Sequence, residues 1–299
     1  MAVSELDTPQ LGLALFRLGK PRVVALIVFC AWIGMLLAST SQFRPGVMLA
    51  AILGIALIAS GAACANCLFE IERDALMLRT HLRPLPRGAI SWQWAAAYAL
   101  LLTASGAFLL GQFVNTLTLY LTLATFIAYA VVYTRWLKPA SPQNIVIGGA
   151  AGAMPPILGW AAMTGEVSAI AASLFLMIYA WTPPHFWALA LYRMEDYRKA
   201  GLPMLPVTHG RAFTRLAIWL YSWIMAATTL LPVAIGFSGG VYLLASLGLN
   251  GWFLLGAWRV YRSDADEDAR RLFRCSIAYL AYLFLALLID HYVFALLRL

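Results

Sequence analysis

The chain has 299 residues, 63% of them hydrophobic and 11% charged, with a formal net charge of +8 and a mean hydropathy of +0.80. That composition excludes an ordinary soluble domain and points to a polytopic membrane protein. The basic surplus gives no support for nucleic-acid binding, because it is spread over the connections between apolar runs, where it reports topology.

A spanning helix takes about 20 mainly apolar residues, and nine runs meet that need, at 22–41, 46–66, 92–111, 114–134, 143–163, 166–187, 214–235, 240–260 and 273–295. None shows barrel alternation, so the expected fold is all-α. We expect one membrane domain over 1–299: nine transmembrane helices, as two four-helix halves plus one. The N-terminal segment and the connections after the second, fourth, sixth and eighth runs hold 19 of the 21 Lys and Arg. By the positive-inside rule the N-terminus is expected in the cytoplasm and the C-terminus outside. Residues 1–10 carry Glu5 and Asp7 and lack the basic head of a secretory signal or the Arg-rich character of a transit peptide. The expected address is therefore a bacterial plasma (inner) membrane.

The second run ends in Asn66-Cys67-Leu68-Phe69-Glu70-Ile71-Glu72-Arg73-Asp74. Acidic groups at a membrane helix end are costly, and they commonly mark a cation or a pathway. On one continuous helix Asn66, Glu70 and Asp74 share a stripe to which Met77 returns, while Glu72 points to the opposite face. Hard oxygen donors at that spacing suit Mg²⁺, which takes one or two protein carboxylates and completes its shell with water and phosphate. The bland alternative is a solvated helix end whose acids pair with Arg73 and Arg79. Cys64 and Cys67 read as small apolar filling, since no second cysteine pair stands at zinc spacing.

Next comes the turn Arg83-Pro84-Leu85-Pro86-Arg87 and, after the fourth run, Tyr133-Thr134-Arg135-Trp136-Leu137-Lys138 with Asn144. Lys138 and Asn144 are placed at the lip where an anion would arrive. Gly148 and Gly152 form a small-xxx-small surface for close helix packing.

The sixth run closes on Trp181-Thr182-Pro183-Pro184-His185-Phe186-Trp187 and continues to Tyr192-Arg193-Met194-Glu195-Asp196-Tyr197, then Gly201-Leu202-Pro203-Met204-Leu205-Pro206. Counting 100° per residue puts His185, Tyr192 and Asp196 on one face and turns Glu195 away. A continuous helix would set His185 roughly 16 Å deeper than Asp196. His185 is either a ligand or substrate contact, or a partner for a carbonyl freed by the two prolines. Two acidic clusters among Arg and Lys at one mouth, above an apolar bundle, describe a site for a metal-bridged diphosphate carrying a lipid tail.

These motifs resemble the intramembrane prenyltransferases typified by 4-hydroxybenzoate polyprenyltransferase, over nearly the whole chain. The resemblance rests on Lys20-Pro21-Arg22, residues 66–74, Met77-Leu78-Arg79-Thr80, Tyr133-Thr134 with Leu137-Lys138, and Asn144-Ile145-Val146-Ile147-Gly148-Gly149. Pro183-Pro184-His185-Phe186-Trp187 and Gly201-Leu202-Pro203-Met204-Leu205-Pro206 are similar to the haem-farnesylating branch, the haem O synthases. Glu70 and Glu72 stand where that family usually has Asp.

The resemblance implies that farnesyl diphosphate and haem b give haem O and diphosphate, destined for haem-copper terminal oxidases. It implies Mg²⁺ on Asn66, Glu70 and Asp74, and a second ion on Asp196 with Glu195. Diphosphate would meet Arg73, Arg79, Arg83 and Lys138, and the substrates would also meet Tyr133, Asn144, Tyr192 and Arg193. His185 would contact haem, while Trp181, Trp187 and Tyr133 could shield the allylic cation. A haem A synthase or a terminal-oxidase assembly factor would follow in the lipid bilayer as partner. The competing readings are prenyl transfer to a quinone precursor or other lipid acceptor, and a membrane transporter whose acidic helix ends are ion sites.

Overall fold

Apolar runs in lipid must satisfy their own backbone groups, and each of the nine expected runs is a helix. The computed structural model describes residues 8–38, 44–78 and 80–297. Among the described residues, nine helices are long and apolar enough to cross a membrane: Pro21–Ala38, Pro45–Phe69, Trp92–Phe113, Thr116–Ala140, Asn144–Thr164, Ala169–Tyr192, Leu205–Ala234, Gly240–Arg262 and Asp266–Val293. A further helix, Thr8–Leu18, precedes the first span. The ninth begins earlier than expected because its helix runs on through Arg270 and Arg271, whereas the seventh is kinked at Gly210 (φ 79°, ψ 169°), a short helical segment from Leu205 preceding the part that starts at Arg211. Long side chains such as Leu100, Phe108 and Leu244 are exposed on the outer faces, as a bundle solvated by lipid requires.

The sixth span is the hub. Of its apolar window 78% is buried, against 17% for the fourth span, which therefore lies at the periphery. Leu174, Met177, Trp181 and Trp187 join a core with Tyr242 and Phe253 of the eighth span and Tyr279 and Phe284 of the ninth. The first and fifth spans cross backbone to backbone. A Cβ at Gly34 would lie 2.2 Å from the Pro156 carbonyl oxygen, and one at Gly159 only 1.8 Å from that of Ala31, so neither site accepts a side chain. The packing surface expected at Gly148 and Gly152 is half realised. A Cβ on Gly148 would strike the Tyr133 ring at 2.2 Å, whereas nothing lies within 4 Å of one on Gly152. Cys64 and Cys67 are buried and free.

Asp290 is an acid inside the ninth span that the motif reading passed over. Its carboxylate accepts hydrogen bonds from the backbone N–H of Gly239 (2.6 Å) and Tyr242 (2.9 Å), capping the start of the eighth span. Orphan N–H groups at a helix start explain why a buried carboxylate is tolerated there.

Two helices break where the sequence count ran straight through. The second span stops at Phe69, Glu70 leaves helical geometry (φ −111°, ψ 11°), and a short helix Ile71–Leu76 follows. Likewise the sixth stops at Tyr192, Arg193 turns (φ −117°, ψ 18°), and Met194–Lys199 follows. The depth of His185 below Asp196 assumes one continuous helix, and the helix is interrupted at Arg193.

Candidate active site

The break at Glu70 leaves the acidic stripe buried. Asn66, Glu70 and Asp74 are 2%, 4% and 4% exposed, Met77 is buried beside them, and Glu72 is exposed on the other side. The face assignment thus survives the break, since the Asp74 N–H still reaches the Glu70 carbonyl at 2.7 Å. The solvated helix end is excluded by this burial.

The partners come from distant elements. The Asn66 amide donates to Glu70 Oε2 (3.0 Å) and to Thr134 Oγ1 (3.0 Å), whose hydroxyl donates in turn to the Tyr129 carbonyl (2.8 Å). Lys138 is ion-paired with Glu70, and Lys20 hydrogen-bonds the Asn66 side-chain oxygen. Arg83 closes on Asp74 at 2.5 Å. Burial opposes ionisation of Glu70, but Lys138 and Lys20, with the Asn66 hydrogen bond, outweigh it and hold the carboxyl below its usual value.

Two local irregularities aim these groups. Lys20 has a positive φ of 50°, the one such non-glycine residue among those described. It sits at the corner between Thr8–Leu18 and the first span. Residues Ala128–Leu137 are π-helical, an irregularity frequent at functional sites, and the segment carries Tyr133 and Thr134 and leads into Lys138. Lys20 and Thr134 were not among the expected site residues. Lys20 directly before Pro21 was the available signal, but its contact with Asn66 spans 46 positions.

The remaining expected residues are distributed as follows. Tyr133 stacks on Tyr129 at 5.9 Å over Gly148. Asn144 is fully buried; its amide donates to the Ser141 carbonyl (2.6 Å) and its side-chain oxygen has no partner. Arg73 is half-buried, and Arg79 lies outside the described residues. In the second acidic stretch Asp196 is buried and takes a 3.4 Å contact from Arg193, while exposed Glu195 is ion-paired with Arg198. Tyr192 lies under Arg270, whose guanidinium carbon is 4.7 Å from the ring centroid.

His185 is enclosed between Trp181 and Phe273, with ring centroids at 4.1 and 4.5 Å. Its Nδ1 is 2.5 Å from Ser276 Oγ, so it does not serve a proline-freed carbonyl. The Ser276 hydroxyl donates to the Phe273 carbonyl at 2.7 Å. His185 Nδ1–H must then be the donor to Ser276, and Nε2 keeps its lone pair. Trp187 is buried edge-on against Tyr221.

Among the described residues no group of three or more His, Cys, Asp or Glu is gathered into a metal cage. Two carboxylates and one amide oxygen, each now facing a cation, are the protein share that Mg²⁺ completes with water and phosphate.

Comparison with known proteins identifies the family. The chain is 58% identical to the protoheme IX farnesyltransferase of Aromatoleum aromaticum over 281 residues, covering 94% of this chain and 92% of that one. It is 57% identical to the protein of that name from Azoarcus, covering 94% of each. A digeranylgeranylglyceryl phosphate synthase structure superposes with a TM-score of 0.79 at 19% identity, over 95% of this chain and 99% of that one. A UbiA homologue from Archaeoglobus fulgidus bound to GPP and Mg²⁺ gives 0.59 at 18%, over 92% and 99%. The model of the UbiA prenyltransferase family matches residues 27–288, and this multi-pass membrane chain belongs to that family.

Proposed function

We propose that the protein transfers the farnesyl group of farnesyl diphosphate to a vinyl group of haem b, giving haem O and diphosphate. The observation that carries this reading is the 58% identity, over nearly the full length of both chains, to a protoheme IX farnesyltransferase. The reaction consumes one water. The allylic C–O bond breaks, the vinyl terminus forms the new C–C bond, and water adds to the benzylic-type cation with loss of a proton.

Ionisation is favoured by positive charge fixed where the departing diphosphate develops negative charge, in a site largely closed to water. Lys20, Lys138 and Arg83 supply that charge. Now held on Asn66, Glu70 and Asp74, they turn toward phosphate oxygens when the diphosphate arrives. Asn66, Glu70 and Asp74 would hold one Mg²⁺ and Asp196 a second, the ions neutralising diphosphate charge when bound. Glu195 would have to leave Arg198 to join them. Tyr133 and Trp181 offer ring faces to the cation, and Asn144 Oδ1 is free to accept from water or substrate.

His185 is assigned to haem through Nε2, an expectation that His185→Ala tests through the haem spectrum. The basic residues of alternate connections support a cytoplasmic site, with product passing within the inner membrane to a haem A synthase or oxidase assembly factor. The test is mass analysis of products from purified protein given farnesyl diphosphate with haem b or with 4-hydroxybenzoate. Haem O from the first mixture is expected. A prenylated hydroxybenzoate would favour the quinone-precursor reading, and binding without diphosphate release would favour a transporter.

A further inference from the structure

An apolar cavity of about 260 Å³ lies between the first, sixth and ninth spans, lined by Leu26, Phe29, Trp181, Ile277, Leu280 and Ala281. Its rim toward the acidic end is set by the ninth span. At 100° per residue, Arg270, Arg274, Ile277 and Ala281 fall within about 60° of one another on that helix. Two guanidinium groups therefore stand one turn apart on the stripe that lines the cavity below them.

Their surroundings differ from those of the neighbouring arginine. Arg271, about 100° round the helix from Arg270, is engaged by Glu267. Arg270 and Arg274 are exposed and have no ion pair among the described residues. Arg270 rests on the Tyr192 ring, which the Arg193 guanidinium also approaches. Phe273, between the two arginines, stacks on His185, whose other face lies on the cavity residue Trp181. Flat aromatic surface, an imidazole and two uncompensated cations at one rim match an amphiphile with a planar apolar body and two carboxylates at one edge.

We propose that Arg270 and Arg274 receive the two propionates of the haem acceptor, orienting the macrocycle so that its vinyl edge enters the bundle. The assignment rests on the haem reading given above. A guanidinium fits a carboxylate as a two-pronged donor, and such charge-assisted pairs are stronger than neutral hydrogen bonds. An anionic lipid phosphate could use the same cations, and the experiment separates the two.

The full-length protein in zwitterionic detergent is titrated with haem b and with its dimethyl ester, which lacks both carboxylates, for wild type, R270Q/R274Q and R271Q. The double variant should bind haem b on the order of tenfold more weakly, about one factor of ten in Kd for 1.4 kcal/mol. It should bind the ester as wild type does, and its KM for farnesyl diphosphate should not move. R271Q should match wild type throughout. Unchanged haem b affinity in R270Q/R274Q, or an equal loss for the ester, would overturn the assignment. It is overturned equally if anionic lipid vesicles alone, and not haem b, distinguish the variants. Failure of the wild type to make haem O would instead count against the function, while the porphyrin titration would still decide the arginines.

Discussion

The two acidic connections begin alike and are wired differently. Each follows a span that breaks at a charged residue, Glu70 or Arg193, and each continues as a six-residue helix into a proline-containing turn. In the first, the Glu70 carboxylate is answered by Lys138 at 68 positions and the Asn66 amide by Lys20 at 46, while Asp74 is answered by Arg83 nine positions on. In the second the carboxylates are answered three residues away, by Arg193 and Arg198. Long-range pairing fixes three elements around one point, whereas local pairing leaves a helix free to shift. On the proposed reading the first connection would be the preorganised side of the diphosphate site and the second the more adaptable one.

Glu70→Ala should break this contrast most severely. It removes the proposed oxygen ligand and strands a half-buried Lys138, so turnover should fall by about two to three orders of magnitude. Stability should fall by about 3 kcal/mol, because the Lys138 charge is left without its partner while mostly shielded from water. Initial rates and thermal unfolding in detergent check both. Asp196→Ala should reduce turnover about tenfold to a hundredfold with little change in unfolding temperature, since its partner Arg193 is 39% exposed and is re-solvated. An equal loss of stability in the two variants would show that the second connection is as rigidly wired as the first.

Acidification offers a milder probe. The Glu70 carboxyl is held below its ordinary value, so the stabilisation from its pairing is complete above the unfolded carboxyl's pKa of about 4.3. It is lost as pH falls through the lower folded value. Unfolding temperature should therefore be insensitive to this pair from neutrality to about pH 5 and decline only below, with Glu70→Gln lacking that decline. The smallest effects are expected at Glu72→Ala and Glu195→Ala, both exposed. Turnover should stay within about twofold, and the Glu195–Arg198 pair contributes about 1 kcal/mol or less. A large loss at Glu195 would place it with Asp196 on the second metal.

The spans were legible because lipid imposes one rule on every apolar run, and the stripe of Asn66, Glu70 and Asp74 was legible because local spacing decides which side chains share a face. What the sequence could not supply was pairing across the bundle. Asn66 with Lys20 and Thr134, and Glu70 with Lys138, depend on how spans pack rather than on spacing within one. The breaks at Glu70 and Arg193 were missed because a periodic count has no signal for a helix end that lacks glycine or proline. At Arg193 that mattered, since the depth of His185 was drawn from a straight helix. At Glu70 it did not, because the short helix resumes with Asp74 still facing inward.

The most direct test of the first connection as the ionising site is the pair Glu70→Ala and Glu70→Ala/Lys138→Met, each assayed for unfolding temperature and for single-turnover release of diphosphate from farnesyl diphosphate with haem b. Removing both paired charges together should restore most of the lost stability and none of the turnover. Recovery of diphosphate release along with stability would contradict the account, and would make the pair a structural clamp.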